Sequence, residues 1–269
     1  MNKRLLLFWQ NPQSRRWMTL GLLEKREDVY TFHYSLSAQK TPEFIPFGVM
    51  NDLSKTYEAR ELFPIFKNRL LAKNRPEFAE YMDWLNLDRE SASDMDELSK
   101  SGGIRATDNL QLFPYPEEQD GKYIVEFFVH GIRYVPARQM DRISALKSGD
   151  GLFLMKDVQN RADALALAIR TDDPPEIIGY CPSFFTQDIN RLLKILPAVD
   201  VRLTVGKVNL VAPLQYRLLC RLESPWPENF TAFADAEFEL NVFKYKYKDR
   251  LETLRELVSE SQKLDMGYN

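Results

Sequence analysis

Polar, turn-forming side chains that can bind a ligand are concentrated in one short segment, residues 156–163, which reads Lys-Asp-Val-Gln-Asn-Arg-Ala-Asp. Lys156 and Arg161 are cations that can bind phosphate. Asn160 can donate and accept hydrogen bonds, and Asp163 can accept one from a sugar hydroxyl. Because apolar runs flank the segment on both sides, we interpret it as a polar loop that a small β domain presents to a ligand. Alternatively, Asn160 and Asp163 satisfy backbone groups of the loop itself, as Asx residues often do.

Two neighbouring segments add an aromatic component to this predicted site. Arg133 and Tyr134 follow a strand-like run that ends at Gly131, and Tyr180 comes shortly before Pro182. The two tyrosines can instead be half-buried core residues. These segments are therefore candidate walls of one ligand site, and no catalytic or metal-binding residue is predicted.

The elements that must position these residues are many short strands and one main helix. The apolar stripe of residues 184–196 predicts the helix, with Ser183 as its N-cap, and residues 140–147 suggest a single helical turn. Short apolar runs between turn signals predict the strands. This combination favours a small, partly open β-barrel. Its strands are predicted at residues 123–130, 152–155, 165–169, 176–180, 201–210 and 215–222.

Four short motifs occur in order through this region. They are Phe128-x-x-Gly131-x-x-Tyr134, Gly149-Asp150-x-Leu152-x-Leu154, Asn160-x-x-Asp163-x-x-Ala166 and Ile178-Gly179-Tyr180-x-Pro182. Together they resemble the HIRAN domain over residues 121–222. The resemblance implies an OB-like barrel in a stand-alone bacterial HIRAN protein. In eukaryotic fork-remodelling helicases the HIRAN domain captures the free 3′ end of single-stranded DNA. The resemblance places Arg133, Tyr134, Asn160, Asp163 and Tyr180 at the binding positions of the family. A single-stranded end is bound by aromatic faces that stack on bases and by cations that contact phosphate. The predicted nucleic-acid-binding residues are therefore Arg133, Tyr134, Lys156, Asn160, Arg161, Asp163 and Tyr180.

The chain departs from the DNA-capturing members of that family at three positions. Val135 stands where they carry a second aromatic residue, which removes a stacking surface worth about 1–3 kcal/mol. Leu165 stands where an Asn follows the Asp, and Val158 replaces a proline. These departures weaken the assignment of end capture and leave the assignment of the fold unchanged.

The N-terminal part, residues 1–88, is predicted to be a small antiparallel β-meander followed by helices. Strands are expected at residues 5–9, 16–24 and 29–34, with Gly21 at a bulge, and helical segments at 57–63, 65–71 and 77–85. Leu20-Gly21-Leu22-Leu23, Tyr30 to Ser35, Phe47-Gly48 and Leu62 to Leu70 are similar to the N-terminal subdomain of HipA-type toxin kinases. No Gly-rich loop, HRD-like or DFG-like motif of a kinase core occurs in the sequence, so this resemblance implies a fold piece without phosphotransfer.

Residues 89–120 are interpreted as a linker with a bridging strand. The stretch 89–103 is acidic and Ser-rich and ends in Gly102-Gly103, which is typical of a flexible connection. The alternation of residues 110–113 suggests a short strand, which Pro114 and Pro116 confine to a sheet edge. Upstream, the basic cluster of residues 67–75 is either a solvated loop or a contact for phosphate or an acidic partner.

Residues 223–269 are predicted to be a tail that packs back on the body through Phe230, Phe233 and Phe238, followed by a helix over residues 249–263. The apolar stripe of that helix can dock within the chain, on a second copy or on a partner. Residues 244–248 alternate lysine and tyrosine, a pattern that fits either a nucleic-acid contact or a protected edge strand.

Composition narrows the class of protein. The 269 residues carry a net charge of −3, so any nucleic-acid contact must come from a local patch. With two cysteines and two histidines in the chain, a structural zinc site is not expected, and buried free thiols indicate a reducing, cytoplasmic setting. The apolar run at residues 5–9 is too short to cross a membrane. His130, at the end of an apolar strand, is interpreted as a structural histidine with satisfied hydrogen bonds.

The resulting hypothesis is an α+β protein that binds nucleic acid without being an enzyme and without a cofactor. Its predicted partner is single-stranded DNA or a free 3′ end, in a setting such as repair, restriction or phage defence. A regulatory module is the alternative, in which the HipA-like part docks a toxin-like, restriction or helicase protein. An enzyme is disfavoured because the sequence shows no nucleophile–base pair, metal cluster or nucleotide loop.

Overall fold

The N-terminal strands form one antiparallel sheet in the computed structural model, which describes residues 3–14, 16–161 and 163–234. The predicted meander is confirmed as β1 (Lys3–Gln10), β2 (Trp17–Arg26) and β3 (Val29–Tyr34). Two short strands, β4 (Thr56–Ala59) and β5 (Leu110–Pro114), complete the order β4-β3-β2-β1-β5. β5 therefore lies on an edge, as its prolines require.

The bulge predicted near Gly21 is present. Leu7 pairs with Gly21 whereas Phe8 pairs with Thr19, so one extra residue of β2 bulges at this point. A Cβ atom at Gly21 would lie 2.4 Å from the carbonyl oxygen of His33 on the neighbouring strand. Only glycine permits the close approach of these two backbones.

The helical prediction for residues 57–63 is wrong, because residues 56–59 form β4 against β3. Tyr57 pairs with Phe32 and packs against the core of the N-terminal sheet. The segment expected as a helix over 65–71 is one turn, α2 (Pro64–Lys67), after a first short helix α1 (Leu36–Gln39). Pairing with a strand elsewhere in the chain has overridden the local helical pattern.

The third N-terminal helix, α3 (Phe78–Trp84), agrees with the prediction for residues 77–85. Its apolar stripe is buried as expected. Met82 and Leu85 lie in the interior, and the latter packs against Phe128 and Leu219 on the outside of the second sheet. Helix α3 therefore attaches the N-terminal part to the rest of the molecule.

The flexible connection predicted for residues 89–103 is wrong, because a helix, α4 (Asp94–Ser101), occupies most of it. Ser93 and Asp96 form a reciprocal capping box, and the acidic residues of the first turn suit the positive end of the helix dipole. Met95 and Leu98 are fully buried in the N-terminal core. The acidic and serine-rich composition is therefore a helix-start signal rather than a linker signal.

The basic cluster of residues 67–75 contains one fully buried guanidinium. Arg69 donates two hydrogen bonds to the Asp108 carboxylate, at 3.2 and 2.6 Å, and one to the carbonyl of Gly103 at 2.8 Å. Arg69 is therefore neither part of a solvated loop nor a contact for phosphate. Asp108 therefore braces this connection.

The second sheet has seven strands in the order β10-β9-β8-β11-β12-β7-β6. All of its neighbouring strands are antiparallel. Their bounds are β6 (Glu118–Gln119), β7 (Lys122–Phe128), β8 (Gly151–Lys156), β9 (Leu167–Arg170), β10 (Ile177–Tyr180), β11 (Arg202–Val208) and β12 (Leu218–Pro225).

The sheet closes on itself just beyond the end of β7. His130 and Tyr180 exchange two backbone hydrogen bonds, each 2.9 Å long, and so join the extension of β7 to β10. This pair produces the partly open barrel expected from the sequence. The main helix is α6 (Ser183–Ile195), capped by Pro182 rather than Ser183, and the turn predicted near residue 140 is a longer helix, α5 (Ala137–Ala145).

One hydrophobic core joins the two sheets. Phe8 and Phe113 from the N-terminal sheet enter the core of the barrel, where Phe113 stacks on Phe184 of α6. Phe230 and Phe233 are buried in the same core, as predicted, and the backbone N–H of Phe233 donates to the carboxylate of Asp188. Phe238, the Lys/Tyr stretch 244–248 and the helix predicted at 249–263 lie outside the described residues.

Both cysteines, Cys181 and Cys220, are buried free thiols, as expected. Burial raises the pKa of each thiol well above its usual value. Within the described part of the chain, no helix has the length and apolar character needed to cross a membrane.

Candidate nucleic-acid interface

The three predicted walls of the site meet around Tyr180. The turn at residues 131–134 follows the His130–Tyr180 backbone pair, and Gly131 adopts a left-handed conformation with φ = +76°. Gly179 has φ = +145°, and a Cβ atom there would lie 2.4 Å from Val129 and 2.7 Å from the carbonyl of His130. Glycine is therefore required for β10 to approach the end of β7 and bring these segments together.

A hydrogen bond connects Tyr180 to the polar loop. The Tyr180 hydroxyl donates to Oδ2 of Asp157 at 3.0 Å, and the amide of Asn160 donates to the same oxygen at 3.3 Å. Burial, followed by the neighbouring Asp157 carboxylate, raises the pKa of Tyr180 above its ordinary value. Asp157 was not among the predicted site residues, although its place as the first polar residue after β8 is the signal that could have identified it.

Asn160 and Asp163 brace the loop that joins β8 to β9. The Asn160 side-chain oxygen accepts from the backbone N–H of Asp163 at 3.0 Å, and the Asp163 carboxylate accepts from the N–H of Leu165 at 2.8 Å. The alternative in which these residues satisfy loop backbone groups therefore describes their contacts. The Asp163 carboxylate keeps acceptor capacity, so bracing the loop is compatible with ligand binding at that residue.

Three basic side chains of the site, Lys156, Arg161 and Arg133, are exposed to solvent. Lys156 and Arg161 are exposed, and neither has an ion-pair partner among residues 3–14, 16–161 and 163–234. The Arg133 guanidinium lies over the ring of Tyr134, 4.7 Å from its centroid. Such positions leave all three cations available to an anionic ligand.

The two tyrosines differ in exposure. Tyr134 is 75% exposed, which excludes a role in the core, and its ring is available for stacking. Tyr180 is half-buried by its contacts with Gly131 and Asp157. Tyr134 is therefore the main aromatic surface of the site, and Tyr180 holds the loop.

The three residues that depart from the family pattern, Val135, Val158 and Leu165, differ in their exposure. Val135 is half-buried and packs against the barrel core, so it offers no surface to a ligand. Val158 is 86% exposed at the tip of the loop, and Leu165 is 43% exposed. These two side chains add apolar surface beside the cations.

His130 lies just beyond the end of β7 and is half-buried. Its imidazole packs edge-on against Phe184, with ring centroids 6.1 Å apart, and forms no side-chain hydrogen bond within the described residues. Burial lowers the pKa of His130 to about 4, so the ring is neutral at neutral pH. No group of three or more His, Cys, Asp or Glu side chains in the described ranges is arranged to hold a metal ion.

Comparison with known proteins identifies the module that carries this site. Residues 122–222 match the model of the HIRAN domain, in agreement with the motifs of the barrel. The chain thus contains a HIRAN domain, which is a DNA-binding module and not a catalytic one, and the match supports nucleic-acid binding in general. The match leaves the HipA resemblance of the N-terminal part without support.

Two solved structures align with about two-fifths of the chain. The crystal structure of a protein from Lactobacillus plantarum is 20% identical, and the alignment covers 39% of this chain and 99% of that one, with a TM-score of 0.29. The HIRAN domain of human HLTF is 13% identical, and the alignment covers 40% of this chain and 84% of that one, with a TM-score of 0.29. A search of curated proteins found no match.

Proposed function

We propose that the protein binds single-stranded DNA, with preference for a free 3′ end, through the face formed by the 131–134 turn and the 156–163 loop. The observation that carries the proposal is the exposed ring of Tyr134 beside Arg133 in the 131–134 turn. The exposed cations Lys156 and Arg161 belong to the loop that Tyr180 connects to this turn. A stacking platform surrounded by unpaired cations is the arrangement that single-strand binding requires.

The charge of the chain favours a local contact over general electrostatic attraction. At a net charge of −3 the whole protein does not attract DNA, so binding must depend on the few cations of the site. Such a site binds weakly at physiological salt unless stacking and end recognition add to it. Asp163 is the group suited to a terminal sugar hydroxyl, because its carboxylate retains acceptor capacity after bracing the loop, and Asn160 lies beside it.

We further propose that the protein acts as a binder rather than an enzyme and works in the cytoplasm, where its two thiols stay reduced. Its role is to hold exposed strands or ends during repair, restriction or defence against foreign DNA.

Fluorescence anisotropy with 5′-labelled oligonucleotides tests the function. A strand with a 3′ hydroxyl should bind more tightly than the same strand with a 3′ phosphate, and more tightly than a blunt duplex. Tyr134→Ala should weaken binding about 5- to 150-fold, corresponding to the loss of one stacked base. Phe153→Ala is the matched control, because this exposed aromatic residue lies toward the far end of β8 from the loop.

The outcomes separate the parts of the proposal. Absence of binding at low salt, or equal affinity of wild type and Tyr134→Ala, would overturn strand binding by this face. Equal affinity for free and blocked 3′ ends, with strand binding intact, would overturn end capture.

A further inference from the structure

A cavity of about 350 Å³ lies where the N-terminal sheet meets the barrel. The barrel contributes the turn 129–134 with Leu214 and Gln215, and the N-terminal part contributes Ile104 and Gln111. Arg133 and Tyr134 belong both to this cavity and to the face proposed to bind DNA. The volume falls in the range of small-ligand sites, roughly 300–1,000 Å³.

The strand that carries Gln111 shows why this side chain faces the barrel. Leu110 and Leu112 of β5 are buried in the core of the N-terminal sheet, whereas Phe113 is buried in the core of the barrel. Successive side chains of a strand point to opposite faces, so Gln111 shares the face of Phe113. A polar residue is thus presented to the barrel where an apolar one would normally be expected.

The side-chain oxygen of Gln111 is buried and has no hydrogen-bond partner among the described residues. Leaving such a group unpaired is unfavourable, and buried polar atoms in folded proteins nearly always have a partner. The side-chain oxygen of Gln111 is therefore an acceptor that a ligand in the cavity could pair.

The half-buried imidazole of His130 adds a polar group to the cavity wall. Its neutral imidazole offers one donor and one acceptor, and it forms no side-chain hydrogen bond with the residues described. Ile104, Ile132 and Leu214 give the cavity apolar walls. A planar group with polar edges and apolar faces would satisfy these walls and polar groups together, and a nucleobase is such a group.

We propose that this cavity is a nucleobase subsite, in which Gln111 of the N-terminal part hydrogen-bonds to the edge of one base of the bound strand. The inference rests on the proposed function, because the strand must reach the cavity along Arg133 and Tyr134. It makes the N-terminal part a component of the DNA site, beyond the HIRAN domain itself. The amide can rotate to present its donor or its acceptor, so the subsite distinguishes a base from no base rather than one base from another.

An abasic scan of the full-length protein tests the subsite. A short 5′-labelled single strand is synthesised with one abasic position moved along its length, and its affinity is measured by anisotropy. One position should lose about 3- to 10-fold in affinity to wild-type protein, as expected for lost hydrogen bonds. Gln111→Leu should lower the affinity for the intact strand by a similar factor. In this variant, the abasic site at that position should cause no further loss of affinity.

Two controls keep folding and function apart. Gln111→Leu replaces the amide, whose oxygen is unpaired, with an apolar side chain of similar size, so its thermal unfolding midpoint should equal or exceed that of wild type. Gln13→Ala, at an exposed glutamine in the β1–β2 turn, should leave binding unchanged.

The results distinguish this inference from the proposed function. If wild type binds and Tyr134→Ala weakens it, while Gln111→Leu binds normally and shows the same abasic profile, the nucleobase subsite is wrong and strand binding stands. If wild type binds no single strand, the proposed function fails and the subsite fails with it.

Discussion

The Tyr180 hydroxyl donates a hydrogen bond of 3.0 Å to Oδ2 of Asp157, and this contact joins β10 to the loop between β8 and β9. The backbone of Tyr180 is paired with His130, which precedes the turn carrying Arg133 and Tyr134. One tyrosine therefore connects all three segments of the candidate site. The cations and the exposed aromatic ring are held in a fixed relationship by a residue that is itself half-buried.

Removing this hydroxyl should loosen the loop without unfolding the barrel. We expect Tyr180→Phe to lower the free energy of unfolding by about 0.5–1.5 kcal/mol, the usual contribution of one hydrogen bond, and to weaken strand binding several-fold. Hydrogen exchange of the amides at 157–166 should become faster. Tyr134→Phe removes an exposed hydroxyl and keeps the ring, so it is the control and should be close to wild type. A loss as large in Tyr134→Phe as in Tyr180→Phe would contradict this role.

The salt dependence of binding should report the two loop cations. In single-strand binding the slope of log K against log salt changes by about 0.7 for each phosphate contact. Lys156→Gln and Arg161→Gln should each reduce the slope by about this amount, and the double variant by twice as much. Lys40→Gln, at an exposed lysine of the N-terminal part, is the control and should leave the slope unchanged. An unchanged slope in the double variant would place the phosphates elsewhere.

The buried pair of Arg69 and Asp108 should be important for stability. The side chain of Arg69 is fully buried, so Asp108→Ala leaves an uncompensated charge and should cost about 3 kcal/mol in the free energy of unfolding by urea. Glu61→Ala is the matched control, because it removes an exposed pair with Lys67 and should cost less than about 1 kcal/mol. Similar costs for the two variants would show that burial does not strengthen the first pair.

Stability should fall as the pH is lowered from 6.5 toward 4. Burial lowers the pKa of both His33 and His130 from 6.5 to about 4, with the Arg26 guanidinium adding to the effect at His33. The unfolded chain binds more protons in this window, so the contribution of the neutral rings is complete above pH 6.5 and is lost as the pH falls through 4.

The expected loss between pH 7 and pH 5 is at most about 2 kcal/mol for each histidine, measured by urea unfolding. His130→Phe should reduce the change in the free energy of unfolding between pH 7 and pH 5 by the contribution of one histidine. A free energy of unfolding that stays constant between pH 7 and pH 5 in the wild type would contradict the lowered pKa values.

Much of the barrel could be predicted from the sequence because its signals are local. Alternating or continuous apolar runs between Gly, Pro and Asp turns marked the strands of the second sheet, and the stripe containing Phe185, Ile189 and Leu192 marked α6. The motifs around Gly131, Asn160 and Gly179 led to the HIRAN domain that the family comparison confirms. Glycines at a left-handed turn and at a crowded crossing of strands carry this information without knowledge of the rest of the fold.

Errors occurred where a distant partner or a misread local signal decided the structure. Residues 57–59 have a helical pattern but pair with β3, because the edge of the sheet offers hydrogen bonds and a core for Tyr57. Residues 94–101 looked like a linker because of their composition, although the capping box of Ser93 and Asp96 predicts the helix when it is read as such.

For this protein, the sequence by itself determined most of the strands, the main helix, the HIRAN domain and the residue types of the site, since these depend on periodicity and short motifs. Only the tertiary structure decided which polar groups meet. Asp157 reaches Tyr180 and Gln111 faces the barrel because strands far apart in the chain come together, and the spacing of residues does not specify such contacts. The tertiary structure also decided that Tyr134 is exposed whereas Tyr180 is half-buried, since exposure depends on what the rest of the chain covers.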